Sequence, residues 1–280
     1  MRYIEIKAPA KINIGLDVLS KRADGYHNLN TIFYPIVDLY DILFFEKSDK
    51  FSFTCKNPDV PNDDSNLVVK AVQTLEEYSG KELNVRIELK KNIPSQAGLG
   101  GGSSDAAATL ISLNEMFQLG IKYDIMLELS LKLGSDVPFF IKSKPAIGTS
   151  RGEILEPIGL YIEDPILVVN PRINVSTKEA FANILPKIGK TDFKSVIIED
   201  KLNYSIARAI LKNDFEESVF NFHPLIKQIK EEIYNCGALL SLMSGTGSTV
   251  YGIFPSLESA EFAKSKMPAD YFCFMSIPHM

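Results

Sequence analysis

Hydrophobic and polar residues alternate with the two-residue period of a strand along several stretches of this chain. Ile4 and Ile6 alternate with Glu5 and Lys7. After Ala8-Pro9-Ala10, Ile12, Ile14 and Leu16 alternate with Lys11, Asn13 and Gly15. The pattern predicts a half-buried strand over residues 2–18, interrupted at 8–10, with Lys11 and Asn13 on the face opposite the apolar set. Residues 31–46 are strand-like with a break at Pro35, and 51–55 make a short strand. Val85, Ile87 and Leu89 alternate cleanly with Arg86, Glu88 and Lys90. Later strands are expected at 166–169, 238–243, 249–254 and 271–277. Polar segments with turn residues, 22–30 around Asp24-Gly25 and 57–65, separate the early strands.

A second set of stretches carries the helical period. Leu67, Ala71, Val72, Leu75 and Tyr78 share one stripe over residues 66–79, and Gly80 is a stop signal. A helix is expected to start near residues 103–105, capped by Ser103 or Ser104 with Asp105 in its first turn and Leu110, Leu113 and Phe117 inward. Residues 123–133 form a helix ended by Gly134. Further helices are expected over 178–184, 201–213, 224–235 and 256–266. The helix at 224–235 has Pro224 in its first turn and Leu225, Ile226, Ile229 and Ile233 on one stripe. Strands and helices mixed in this order predict an α+β protein.

The length of 280 residues sets the scale: at about 150 residues per domain it predicts two domains or one large one. Apolar residues make up 45% of the chain and charged residues 23%, so it is globular and can bury a sizeable core. The net charge is −5, which lacks the electrostatic footprint of a general nucleic-acid binder. It does not exclude an anionic small molecule, because a cleft can carry a local field of the opposite sign. Cys55, Cys236 and Cys273 are odd in number and widely spaced, which argues against a disulfide framework or a structural zinc site. No apolar run reaches membrane-spanning length and no signal-peptide pattern opens the sequence, so a cytoplasmic protein is expected. His223 and His279 have no second ligand at useful spacing, and no metal ligands are assigned.

The densest chemical signal is Pro94-Ser95-Gln96-Ala97-Gly98-Leu99-Gly100-Gly101-Gly102-Ser103-Ser104-Asp105. A strand leads into a glycine loop, which leads into a helix start. Glycines let backbone N–H groups approach and cup a polyanion, and the helix terminus adds positive potential. The Ser103 and Ser104 hydroxyls suit phosphate oxygens or a magnesium ion. The loop lacks the lysine of a Walker A motif, and Ser103 occupies the third glycine position of a dinucleotide fingerprint.

The segment Gly98–Ala107 resembles the phosphate loop of the GHMP small-molecule kinases. Residues 8–14 (APAKINI) resemble that family's N-terminal motif, and 243–248 (MSGTGS) its C-terminal glycine loop. Arg22–His27 (RADGYH), Asp64-Ser65-Asn66-Leu67, Gly134–Phe139 (GSDVPF) and Asn213-Asp214 follow in family order over nearly the whole chain. The DGYH block is similar to the branch whose substrate is a cytidine diphosphate-linked methylerythritol. In that branch the 2-hydroxyl is phosphorylated on the non-mevalonate route to isoprenoid precursors.

The resemblance implies an α+β fold with two domains, 1–158 and 159–280. The first would be a mixed-sheet domain containing a left-handed βαβ crossover, the second a ferredoxin-like domain, with the active site in the cleft between them. It implies ATP as phosphoryl donor, with Mg2+, and residues 94–104 and Asn66 as the nucleotide site. Asn66 reads equally well as a helix cap. Lys11 and Asp136 would be catalytic, Asp136 as general base or as electrostatic orienter; helix capping is a further reading of Asp136. Asn13, Tyr26, His27, Thr177, Phe181, Gly245 and Thr246 would bind the acceptor, with Phe181 opposing the Tyr26–His27 side of the cytosine ring, or else simply core. Ser95-Gln96 and Thr246 depart mildly from the family pattern. Two readings compete: a GHMP kinase for homoserine, mevalonate or a sugar, and a catalytically silent relative that senses ligands.

Overall fold

The computed structural model describes residues 2–184, 186 and 189–277; His279 lies outside them. The described chain forms two compact units. The first takes the chain up to Ala10, Leu39–Ser95 and Gly100–Lys144. The second takes Lys11–Asp38, Gln96–Leu99 and the chain from Pro145 onward.

Two long strands open the chain, β1 (Tyr3–Lys21) and β2 (His27–Lys47), and they pair with each other. Both run through positions where a break is expected from sequence. β1 continues across Ala8-Pro9-Ala10. β2 continues across Pro35, which lies between the stretch Leu29–Phe33 that pairs with one neighbour and Ile42–Lys47 that pairs with another. A proline there removes no N–H from either ladder. The expected loop at 22–30 shrinks to a tight turn: the Arg22 N–H donates to the Tyr26 carbonyl at 2.8 Å, and Gly25 takes the left-handed conformation at φ +87°.

In the first unit follow β3 (Ser52–Cys55), α1 (Leu67–Ser79), β4 (Val85–Lys90), α2 (Gly101–Met116), α3 (Tyr123–Leu133) and α4 (Val137–Phe140). β3 is parallel to β4, with α1 as the crossover, while β4 is antiparallel to the end of β2, so the pairing is mixed. β4 alternates buried and exposed residues as its sequence predicts. α1 starts at Asn66, whose side chain accepts the Val68 N–H, and stops at left-handed Gly80. It buries Val68, Val69, Ala71, Val72 and Leu75. Each such Val or Leu gains about 1.5–3 kcal/mol from leaving water, before chain entropy is subtracted.

α2 begins earlier than its sequence suggests. Its cap is Gly100, left-handed at φ +72°, with no side chain bonded to the helix start. Ser103 and Ser104 therefore lie within the first turn rather than capping it, and Asp105 sits deeper, fully buried. The glycine's backbone freedom lets the strand-to-helix reversal occur before the serines.

The second unit continues with β5 (Ala146–Ser150), β6 (Ile154–Pro157), β7 (Ile166–Asn170), α5 (Thr177–Ala182), a 3-10 turn at Phe193–Val196, β8 (Ile197–Ile198), β9 (Lys201–Leu202), α6 (Tyr204–Ile210), α7 (Phe215–Phe222), α8 (Pro224–Asn235), β10 (Leu240–Met243), β11 (Val250–Ile253), α9 (Leu257–Ser265) and β12 (Phe272–Ser276). β5 and β6 form an antiparallel pair, and β5 pairs with the start of β2. The strands β10-β11-β7-β12 form an antiparallel sheet in that order. With helices between β7 and β10 and between β11 and β12, this is the ferredoxin-like arrangement. α8 buries Ile226, Ile229 and Ile233 against β7, α7 and α9 neighbours such as Leu167, Val219 and Ala260, whereas Leu225 turns outward. The helix expected over 201–213 is only α6. Asn213 instead bridges to Leu16 of β1 in parallel pairing.

Candidate active site

β1 brings polar side chains into an interior that its flanking isoleucines define. Lys11 is 3% exposed and Asn13 2%, so both faces of the strand are buried rather than one. An unpaired charge there would be expensive, and the local bonding offsets that cost. Lys11 Nζ donates to Asn13 Oδ1 at 2.6 Å; Asn13 Nδ2 donates to Thr31 Oγ1 at 2.9 Å; Thr31 Oγ1 donates to the Gly15 carbonyl at 2.6 Å. The Phe33 ring lies 5.4 Å from the ammonium. The result is a fixed cationic donor on a rigid strand.

The two glycine segments of the second unit meet this strand. The Lys11 N–H donates to Leu99 O at 2.9 Å, and Thr249 N–H to Ala97 O at 3.3 Å. Ser244 Oγ donates to Gly98 O at 2.9 Å and accepts the Asn13 N–H at 3.2 Å. Gly98 has no room for a side chain: a Cβ would lie 2.1 Å from Ser244 O, and φ is +76°. A Cβ on Gly245 would come within 3.4 Å of the Gly98 backbone, and Thr246 Oγ1 is 3.3 Å from Thr177 Oγ1.

In the first unit the start of α2 carries Gly101, Gly102, Ser103 and Ser104, with the Ser104 hydroxyl buried and without a hydrogen-bond partner. Uncapped N–H groups at a helix start suit an anion. Behind them is a charge cluster. Lys91 Nζ, at the end of β4, donates to Asp41 Oδ2 of β2 at 2.5 Å and to Asp105 Oδ2 of α2 at 2.9 Å. Asp41 Oδ1 also accepts the Asn92 and Ile93 N–H groups. Burial, opposed by the Lys91 charge, pushes the Asp105 carboxyl up to about 7. Lys91 itself is held above the usual lysine value: burial opposes its charge, but the two carboxylates outweigh it. A side chain at Gly101 would meet Lys91 Nζ and Ile93 at 3.1 Å, so a bulky residue there disturbs this cluster as well as any approach to the loop. Asp136 stands at the N-cap position of α4, with no side-chain bond to that helix's N–H groups.

The turn between β1 and β2 presents Tyr26 and His27. The His27 ring stacks on Phe181 at 5.1 Å between centroids and 27° between planes, and Phe181 meets Phe215 edge-on at 4.8 Å. Phe181 thus backs His27 directly. Burial, then the nearby Lys21 charge, lowers the His27 pKa and favours a neutral imidazole that can both donate and accept. Tyr26 is half exposed, with the Arg151 guanidinium 4.5 Å over its ring.

The chain matches the model of the GHMP kinases N terminal domain over residues 66–144 and that of the GHMP kinases C terminal domain over 187–272. It is 43% identical to the 4-diphosphocytidyl-2-C-methyl-D-erythritol kinase of Bacteroides thetaiotaomicron, covering 95% of this chain and 96% of the relative. The chain belongs to the GHMP kinase family. It is also 41% identical to the enzyme of the same name from Chlorobium phaeobacteroides strain BS1, covering 94% of this chain and 93% of the relative. A crystal structure of 4-(cytidine 5'-diphospho)-2C-methyl-D-erythritol kinase superposes with a TM-score of 0.82 at 32% identity, covering 97% of this chain and 98% of the other.

Within this GHMP kinase the sequence-derived residues fall into local groups: Lys11 with Asn13, Gly98 with Gly245, His27 with Phe181, Thr177 with Thr246. Asn66 accepts the Val68 N–H and donates to the Pro61 carbonyl, so its side chain caps α1. Gln96 stands exposed in the left-handed region at φ +52°. Sequence reasoning missed Lys91, Asp41, Thr31, Ser244 and Arg151. An acid directly before Ala106-Ala107-Ala108, in a helix interior, was the available signal: it calls for a buried cation. Among the described residues no group of three or more His, Cys, Asp or Glu could hold a metal ion.

Proposed function

We propose that this kinase transfers the γ-phosphoryl group of ATP to the 2-hydroxyl of 4-diphosphocytidyl-2-C-methyl-D-erythritol. The observation that carries this reading is the His27 ring stacked on Phe181, next in sequence to the exposed Tyr26, with burial lowering the imidazole's pKa. It suits a cytosine edge and face. It occurs in a chain 41–43% identical to enzymes named for this activity.

Each group has a role in the proposed reaction. The α2 N–H groups and the 94–104 loop hold the triphosphate. Lys11, oriented by Asn13 and Thr31, holds the acceptor hydroxyl and offsets charge as the phosphoryl group moves. Asp136 receives the hydroxyl proton as the new O–P bond forms, and ADP leaves with the electrons of the broken bond. A magnesium ion on the phosphate oxygens would neutralise their charge. The buried, unpartnered Ser104 hydroxyl and its neighbour Ser103 fit that ion's preference for oxygen, with the remaining ligands from phosphate and water. The division into domains 1–158 and 159–280 belongs to the same proposal, with the two family matches on either side of it.

ADP release measured in parallel with the cytidyl acceptor, mevalonate, homoserine and galactose tests the reading. Turnover confined to the cytidyl acceptor is expected. Turnover of another acceptor in its place would reassign the enzyme within its family, and no ADP release with any would favour a ligand sensor.

A further inference from the structure

Asn213 stands in a motif that the catalytic reading leaves without a role. It is 3% exposed and uses its whole side chain. Its Nδ2 donates to two carbonyls, Met243 O and Gly245 O, both at 2.7 Å, and its Oδ1 accepts the Phe215 N–H at 3.0 Å. Its backbone is anchored as well. The Leu16 N–H donates to Lys212 O at 2.8 Å, the Asp214 N–H to Leu16 O at 2.9 Å, and the Val18 N–H to Asp214 Oδ2 at 2.8 Å. The amide fork is therefore held by β1 and by the start of α7, and it grips the segment that leaves β10.

That grip has a directional consequence. In a trans peptide the C=O and the following N–H point opposite ways. Capturing Gly245 O on the Asn213 side aims the Thr246 N–H away from Asn213. The neighbouring groups are fixed too: Glu216 Oε1 accepts the Met243 N–H at 2.9 Å, and Ser244 N–H donates to Thr249 O at 2.9 Å. Ser244 Oγ then ties the segment to Gly98 and Asn13.

We infer that Asn213 is a positioning residue for the acceptor: it sets the second glycine loop so that the Thr246 N–H donates to an oxygen of the acceptor substrate. The inference rests on the kinase reading above, and on Thr246 lying on the acceptor side. Asn213 touches no substrate itself. An amide is required, because the fork needs two donors and the helix needs one acceptor, all on one planar group.

The test is the split between the two KM values in N213D and N213A. N213D keeps the shape and the Phe215 acceptor but turns an oxygen toward two carbonyls. We expect the acceptor KM to rise about tenfold or more in both variants, with the ATP KM within about twofold of wild type. In N213D, lowering the pH from 8 to 5.5 restores part of the acceptor affinity, since the protonated carboxyl again donates to one carbonyl; N213A shows no such recovery. Acceptor KM unchanged, or both KM values rising together with no pH recovery in N213D, would overturn the inference. Should N213D not fold, N213S, which keeps one donor, carries the same KM comparison. Failure of all three variants to fold would make Asn213 a folding residue only. The measurements use whichever acceptor the wild-type enzyme turns over. A wrong acceptor assignment therefore appears in the wild type, and a wrong role for Asn213 only in the variants.

Discussion

At the scale of single residues, burial and hydrogen bonding decide what each polar group can do. Lys11 is nearly inaccessible, so its ammonium is oriented by protein rather than by water, and a small displacement of Asn13 would move it. Asp136 is the proposed partner in chemistry. Asp136→Asn keeps the shape and removes the proton acceptor, and the expected loss in kcat is about 10²- to 10⁴-fold, with nucleotide affinity intact in a fluorescence titration. Turnover close to wild type in that variant would remove Asp136 from the catalytic role. These two residues were legible in sequence only through the motifs around them. A lysine on an alternating strand reads as solvated by its pattern alone, and nothing local reveals that β1 is covered on both faces.

At the scale of elements, the first unit is fastened by one cation shared between β2, β4 and α2. Lys91 joins Asp41 and Asp105 where no water reaches Asp105. The folded-state pKa of Asp105, about 7, exceeds its unfolded value near 3.8, so the folded protein holds the extra proton between those values. Stability from this group is full below pH 4 and is lost as the pH rises toward and through 7. Asp105→Asn removes that titration. The melting temperature of the variant relative to wild type should therefore climb between pH 5 and 8; parallel melting curves across that range would contradict it. Sequence pattern located β4, α1, α3 and α8 well because each has a strong period and a stop signal. It failed at the start of α2, where glycine conformational freedom outweighed serine capping preference. It also failed at Pro35 and at 8–10, where tertiary pairing carries a strand through residues that usually end one. The short strands β5, β6, β8 and β9 have too few residues for a period to emerge, whereas α7 went unexpected although Phe215 and Val219 stand four residues apart on its buried face.

At the scale of the whole molecule, a net charge of −5 has to coexist with two polyphosphate ligands in the proposed reaction. The net charge cannot attract them. The positive field has to be local, as at α2's uncapped N–H groups. No described helix is long and apolar enough to cross a membrane. The ferredoxin-like sheet of the second unit follows a strand order that no local pattern encodes, since β7 sits between β11 and β12, each far away in sequence. Family resemblance supplied that order in advance; periodicity supplied only the strands. The central claim is a specific bond, a phosphate ester at the 2-hydroxyl of the cytidyl acceptor. Phosphorus NMR of the completed reaction tests it most directly. A new phosphomonoester resonance, coupled to C2 of the methylerythritol with the acceptor's diphosphate resonances retained, is the result predicted. A diphosphate that is cleaved, or ADP formed with no new ester on the acceptor, would contradict it.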